Sequence, residues 1–300
     1  MRLNKILLAG FFMTAFLVGC NDDDDNGTDE VEERDRTEQE LADREALEEY
    51  LQTHFYNYED FENPSEGFDY VVRFDTINEA NADKTPLIES DLLESKTVTR
   101  GEVDYTIYVL KVREGEGDKP TFADSTFVTY RGELLNRRMF DNAVTPVWFD
   151  LPQLIEGFTE GVIEFRGATN FDVNEDNSVT WTNDYGVGAV FMPSGLGYYS
   201  RPQGGIPPYS PLIFSINLYG VNQADHDNDG IPSYMEDING DGVLGNDNTD
   251  NDNLPNFIDD DDDGDFIPTR EEIEIDPETG ELSFPDKDND GTPDYLDSDN

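Results

Sequence analysis

The residues whose types and spacing point most directly to chemistry lie near the end of the chain. Asp225, Asp227 and Asp229 alternate, Gly230 follows, and Glu236 stands at the twelfth position. A hard cation such as calcium takes six to eight oxygens. A twelve-residue loop supplies them from positions 1, 3, 5 and 12, with glycine at position 6 for the sharp turn. The register then returns. Asp237, Asn239 and Asp241 precede Gly242. Asn248, Asp250 and Asp252 lead to Asp259. Asp261, Asp263 and Asp265 lead to Glu272. Asp286, Asp288 and Asp290 precede Gly291 and lead to Asp297. Five such registers predict structural calcium sites, because a generic acidic segment carries no spacing. Asp172, Asn174 and Asp176 repeat only the start of the pattern and read first as a polar hairpin insertion.

The middle of the chain is rich in aromatic and branched apolar residues. Read singly, most would serve as core of any small β domain. Its elements are legible in outline. Tyr105, Ile107 and Val109 alternate with polar positions as a strand does. Thr126–Tyr130, Val190–Pro193 and Leu212–Leu218 are further strand candidates, Phe68–Phe74 suggests another, and Leu151–Phe165 is a helix candidate. Thr37 and Glu40 fit a capping box. Leu41, Leu47, Tyr50, Leu51 and Phe55 then predict an amphipathic helix over 37–55, with His54 near its end as a packing or solvent residue.

Residues 126–221 resemble an FKBP-type peptidyl-prolyl isomerase. The motifs stand in order: Val128-Thr-Tyr130-Arg-Gly132-Glu-Leu134, Phe140-Asp141, Leu154-Ile155-Glu-Gly157-Phe158-Thr-Glu160-Gly161, Pro193-Ser-Gly-Leu196-Gly-Tyr198, and Ile206-Pro-Pro208 before Leu212-Ile-Phe214. The resemblance implies an α+β fold, a bent antiparallel sheet wrapped on one short helix. It also implies an isomerase that needs no cofactor for catalysis. Tyr130, Phe140, Phe149, Leu154, Ile155, Phe158, Ile206 and Phe214 would line the slot. Asp141 would stand at its edge, and Tyr198 and the Ile155 N–H would hold a substrate carbonyl. Three departures bear on activity. The stretch Asn142–Pro146 is a short loop without the arginine that pairs the aspartate in many members. Tyr199 replaces a glycine, and Gly167–Val187 is longer and more polar than usual. Val147 stands where many members carry phenylalanine. The departures also fit an inactive binding module. The tail, with its Asp-Gly-Ile-Pro and Asp-Gly-Thr-Pro forms and little helix-forming sequence, resembles thrombospondin type 3 repeats. A calcium-dependent adhesion or spacer role is the third reading.

Composition bounds the rest. The 300 residues hold 69 acidic and 19 basic side chains, a formal net charge of −50, which excludes nucleic acid as a partner. Residues 225–300 carry 27 of the acidic residues against Arg270 and Lys287, about half of that charge. Without counterions such a segment repels itself. The single cysteine, Cys20, excludes an internal disulfide. Arg2 and Lys5 followed by the apolar run Leu7–Val18 make a signal peptide, too short to span a bilayer. Leu17-Val-Gly-Cys20 resembles a bacterial lipobox, which implies lipidation of Cys20 and an outer-membrane lipoprotein, periplasmic or surface-exposed. The expected organisation is a signal peptide (1–19), an acidic disordered tether (20–37), a helical or mixed segment (38–100), the isomerase-like domain (101–224) and the calcium-repeat tail (225–300). The expected partners are X-Pro segments of unfolded or exported proteins, the membrane through the lipid, and calcium.

Overall fold

The computed structural model describes residues 33–299; the signal peptide, Cys20 and most of the tether lie outside the described residues. Helix α1 (Arg36–Thr53) leads into β1 (His54–Tyr56), the short α2 (Tyr58–Glu62) and β2 (Phe74–Thr76), which pairs with β1. Strands β3 (Leu93–Arg100), β4 (Val103–Arg113), β5 (Ser125–Leu134) and β6 (Met139–Asp150) follow. After α3 (Glu156–Val162) come the hairpin β7 (Phe171–Val173) and β8 (Val179–Trp181), then β9 (Gly186–Met192) and β10 (Leu212–Asn222). Six strands form one antiparallel sheet in the order β3-β4-β9-β10-β5-β6.

Both faces of this sheet are covered. On one face α3 sends Phe158 and Val162 onto Val190, Met192, Phe214 and Ile216. On the other, α1 sends Leu47, Tyr50 and Leu51 onto Val187, Ala189, Phe191 and Ile213. Alternate residues of a strand point to opposite faces, so β9 is buried at all seven positions. That explains its nearly continuous apolar run. Gly161 lets α3 lie close to the sheet, since a Cβ there would come within 2.4 Å of Val190.

Several expectations need correcting. The cap of α1 is Asp35, whose carboxylate accepts from the Thr37 and Glu38 N–H groups at 2.9 Å, so the Thr37 box does not open the helix. The helix stops at Thr53, and His54 and Phe55 belong to β1. Leu41 is exposed, and the first turns bury Gln39, Glu40 and Asp43 instead. These side chains are all partnered: Glu40 accepts from Thr106 N–H at 3.1 Å, Asp43 accepts from Ser194 N–H and Oγ at 2.7 and 2.6 Å, and Gln39 donates to Asp43 at 2.7 Å. The tether does not run to residue 37, because Arg34 and Arg36 lie over the Tyr209 and Tyr199 rings. A boundary at 100/101 would separate β3 from β4, which pair along the whole of β3. The long helix candidate over 151–165 is a 3₁₀ turn (Leu151–Gln153) followed by the seven-residue α3. The 142–146 loop runs inside β6 as a bulge, where Val128 pairs with Val147 and Tyr130 with Ala143. The Phe68–Phe74 strand shrinks to β2. His54 packs as expected, stacked on Tyr50 at 3.8 Å.

Beyond Ala224 the chain turns from strands to repeated loops. Four 3₁₀ turns start directly after a proline, at Ser233–Glu236, Asn256–Ile258, Thr269–Glu271 and Asp294–Leu296. A fifth spans Leu244–Asn246. A two-stranded ribbon, β11 (Glu274–Ile275) with β12 (Leu282–Ser283), interrupts them.

Candidate active site

Strands β5, β6 and β10 and the start of α3 enclose a cavity of about 460 Å³. Tyr130, Phe140, Asp141, Phe149, Leu154, Ile155, Phe158, Tyr198, Ile206 and Phe214, all named from the sequence, line it together. Gln153, Gln203 and Gly204 also line it and were missed. Their only signal was position, beside Leu154 and before Ile206. Val147 is not among the lining residues.

The aromatic rings interlock. Phe158 stands edge-on to Phe214 at 5.2 Å and to Phe149 at 5.8 Å, and Phe140 edge-on to Phe214 at 5.5 Å. Such edge contacts add to the apolar burial. Gly132 makes room for this, because a Cβ there would come within 2.6 Å of the Phe140 ring. The Tyr130 hydroxyl donates to Asp141 Oδ2 at 2.6 Å, and Asn142 N–H donates to Oδ1 at 2.9 Å. Tyr130 therefore holds the aspartate that lacks an arginine in the following stretch. Burial first, and then the Asp141 charge, pushes the Tyr130 and Tyr198 hydroxyls above their ordinary range. Both remain proton donors at neutral pH. The rim is tied across the cavity: Arg138 donates to the Gly205 carbonyl, next to Gly204. Tyr198 follows Ser194, which Asp43 of α1 grips, so the N-terminal helix helps to place the rim.

A family model described as FKBP-type peptidyl-prolyl cis-trans isomerase matches residues 117–219. FK506-binding protein 1 of Dictyostelium discoideum is 31% identical over 113 residues, which is 36% of this chain and 90% of that protein. The chain belongs to the FKBP family. FKBP-type peptidyl-prolyl cis-trans isomerase FkpA of Escherichia coli (strain K12) is 30% identical over 116 residues, 38% of this chain and 37% of that protein. The chain thus spans little more than a third of the length of that relative. The crystal structure of FkpA from Escherichia coli matches with a TM-score of 0.34 at 26% identity, over 45% of this chain and 53% of that one. A second family model, described as BamM C-terminal, matches residues 226–285.

The acidic registers of this FKBP chain also have a common geometry. In all five, the side chain at position 3 accepts from the N–H of position 5 at 2.9–3.1 Å. The carboxylate at position 5 accepts from the N–H of position 7 at 2.5–2.8 Å. One oxygen of each is thereby engaged, and others are left over. Asp225 Oδ1, Asp227 Oδ2, Asp229 Oδ2, Asp261 Oδ1, Asp263 Oδ2 and both oxygens of Glu236 are buried without a hydrogen-bond partner. Ligand oxygens of Asp225, Asp227 and Asp229 come within 4.8 Å of one another, as do those of Asp250, Asp252 and Asp259 and those of Asp261, Asp263 and Asp265. Burial and the surrounding carboxylates push Glu236 up to about 10. Unpaired buried carboxylates are costly, and a divalent cation fits this donor set. In the second register the partner of Asp237 and Asp241 is Asp247, which the spacing did not reveal.

The remaining candidates are placed as follows. Asn239 donates to Asp247 at 3.0 Å. Glu272 is buried, while Asp286, Asp288, Asp290 and Asp297 lie in the last register, nearer the surface. Asp172, Asn174 and Asp176 belong to the β7–β8 hairpin, where Asp176 accepts from Ser178 N–H at 2.9 Å. His226 is half-buried. It meets Ser233 through Nδ1 at 2.8 Å and Asp150 through Nε2 at 3.1 Å, joining the first register to the strand that carries Phe149.

Proposed function

We propose that this chain is a peptidyl-prolyl cis-trans isomerase of the cell envelope, held to a membrane by lipid on Cys20 and extended by a calcium-binding tail. The observation that carries the catalytic part is the convergence of the ten named residues on one apolar cavity with two hydroxyls and a carboxylate at its edge. The chemistry needs little more. An X-Pro bond rotates over a barrier of about 18–20 kcal/mol because its resonance must be broken. The twisted amide has a weaker dipole than the planar one. A water-poor slot walled by Phe149, Phe158 and Phe214 suits the twisted form better, which is differential binding of the transition state. Tyr198 and the Ile155 N–H, at the start of α3, would hold the carbonyl preceding the proline while the bond turns. X-Pro segments of unfolded or exported proteins are the substrates this slot would take, consistent with the signal peptide.

The test is an isomerisation assay on the full chain with an X-Pro peptide, comparing wild type with Asp141→Ala and Tyr198→Phe. Acceleration that falls about tenfold or more in each variant is expected, the worth of one fixed hydrogen bond. A folded wild-type chain without acceleration would overturn the enzyme and leave a binding module. For the tail, the reading rests on the buried unpartnered oxygens, and the ions would be structural. Mass spectrometry of the membrane-extracted protein, beginning at an acylated Cys20, tests the lipid.

A further inference from the structure

We propose that Asp229, Glu236 and Asp262 hold a divalent cation between two loops, 225–236 and 261–272, in addition to the ion of the first loop itself. Asp262 occupies position 2 of its register, where no ligand is expected. In other registers that position closes within the loop: His226 meets Ser233, and Lys287 pairs with Asp294 at 2.8 Å. Asp262 does so only through its backbone, whose N–H donates to Thr269 Oγ1 at 3.1 Å. Its carboxylate is 2% exposed, and neither oxygen has a protein partner. It points at the neighbouring loop, where one oxygen each of Asp229, Glu236 and Asp262 lie within 4.8 Å of one another.

That spacing is what an ion needs. Calcium–oxygen distances of about 2.3–2.6 Å put opposite ligands about 5 Å apart. The two loops are already side by side, because Arg270 of one donates to the Asn228 carbonyl of the other at 2.7 Å. Charge argues for two ions rather than one. Asp225, Asp227, Asp229, Glu236 and Asp262 bring five carboxylates into one buried cluster, and a single divalent cation would leave most of that charge unpaired. Asp229 belongs to both triads and would bridge the two ions.

The inference rests on the tail binding divalent cations, and the experiment separates the two. Calcium bound per full-length chain is counted by equilibrium dialysis for wild type, Asp262→Asn and Asp260→Asn, the last an exposed neighbour outside the cluster. The expected result is one ion fewer in Asp262→Asn and no change in Asp260→Asn. A wild type that takes up no calcium overturns the tail reading and this site together. Equal counts and affinities in wild type and Asp262→Asn overturn this site and leave the tail reading intact. Should Asp262→Asn fail to fold, terbium replaces calcium on the wild type and Tyr295→Phe. Tyr295 is buried and feels the charges of Asp262, Glu236 and Asp229. Its removal should cut tyrosine-sensitised terbium emission at least twofold, and unchanged emission counts against the site.

Discussion

The six-stranded domain and the tail fix their backbones in opposite ways. In the domain, buried side chains are mostly apolar, and the main chain bonds to itself through strand ladders. In the tail, the N–H groups of positions 5 and 7 are held by side-chain oxygens, nearly all of them carboxylates, and the buried side chains include Asp229, Glu236, Asp262 and Asp263. The first arrangement draws its stability from removing apolar surface from water. The second gathers like charges, and it needs counter-charge to be stable. One chain therefore places a slot walled by aromatic rings beside a region dense in buried carboxylates. The join is specific: Asp124 accepts from Ala224 N–H at 3.1 Å, and Asp150 meets His226.

Removing divalent cations should separate the two regions most sharply. With a chelator, protease cleavage is expected throughout 225–299 while the far-ultraviolet dichroism of the domain survives. Loss of both together would show that they stabilise each other and that the contrast is false. A smaller effect should appear inside the domain, at a place where it imitates the tail. Asp43 is a buried carboxylate that gathers Ser194 N–H, Ser194 Oγ and Gln39 Nε2. Asp43→Ala leaves those donors without an acceptor and should cost about 3 kcal/mol in denaturant unfolding. It should also lower kcat/KM, because the 193–198 segment carries Tyr198; an unchanged stability would mean that apolar packing alone holds α1.

The smallest effect concerns Glu40, which burial pushes up to about 7 from its ordinary 4.5. Its folded form holds a proton more tightly than the unfolded chain. The associated stability is therefore present below about pH 4.5 and lost as pH rises through 7. Glu40→Gln does not titrate, and should raise stability by about 2 kcal/mol at pH 8 and hardly at all at pH 4. Thermal unfolding across that range checks it, and a gain that does not depend on pH would assign the effect to packing.

What could be read in advance followed from where each constraint lies. The motif residues around Phe158 and Phe214 were legible because their types and order along the chain suffice. The alternation at Tyr105, Ile107 and Val109 was legible because one face of β4 is apolar. The first half of α1 was not, since Glu40 and Asp43 bury carboxylates against backbone 66 and 151 positions away. No local pattern announces such a partner. Asp247 and Asp262 escaped for a related reason: both lie outside positions 1, 3, 5 and 12, Asp247 at position 11 of its own register beside Asp237 and Asp241, and Asp262 reaching Asp229 and Glu236 only because one loop folds against another. Asp35 took the cap from Thr37 because its carboxylate reaches two free N–H groups of the first turn.

The small apolar content of the tail has a thermal consequence. Its apolar cluster has three buried members, Ile231, Ile273 and Tyr295, whereas the two clusters of the domain have nineteen and fourteen among the described residues. Exposing apolar surface on unfolding raises the heat capacity, and exposing polar surface lowers it. The tail should unfold with almost no heat-capacity change, so its stability falls along a nearly straight line with temperature. The domain follows a dome that sinks on cooling as well as on heating. In the cold, the loops of the tail should outlast the sheet.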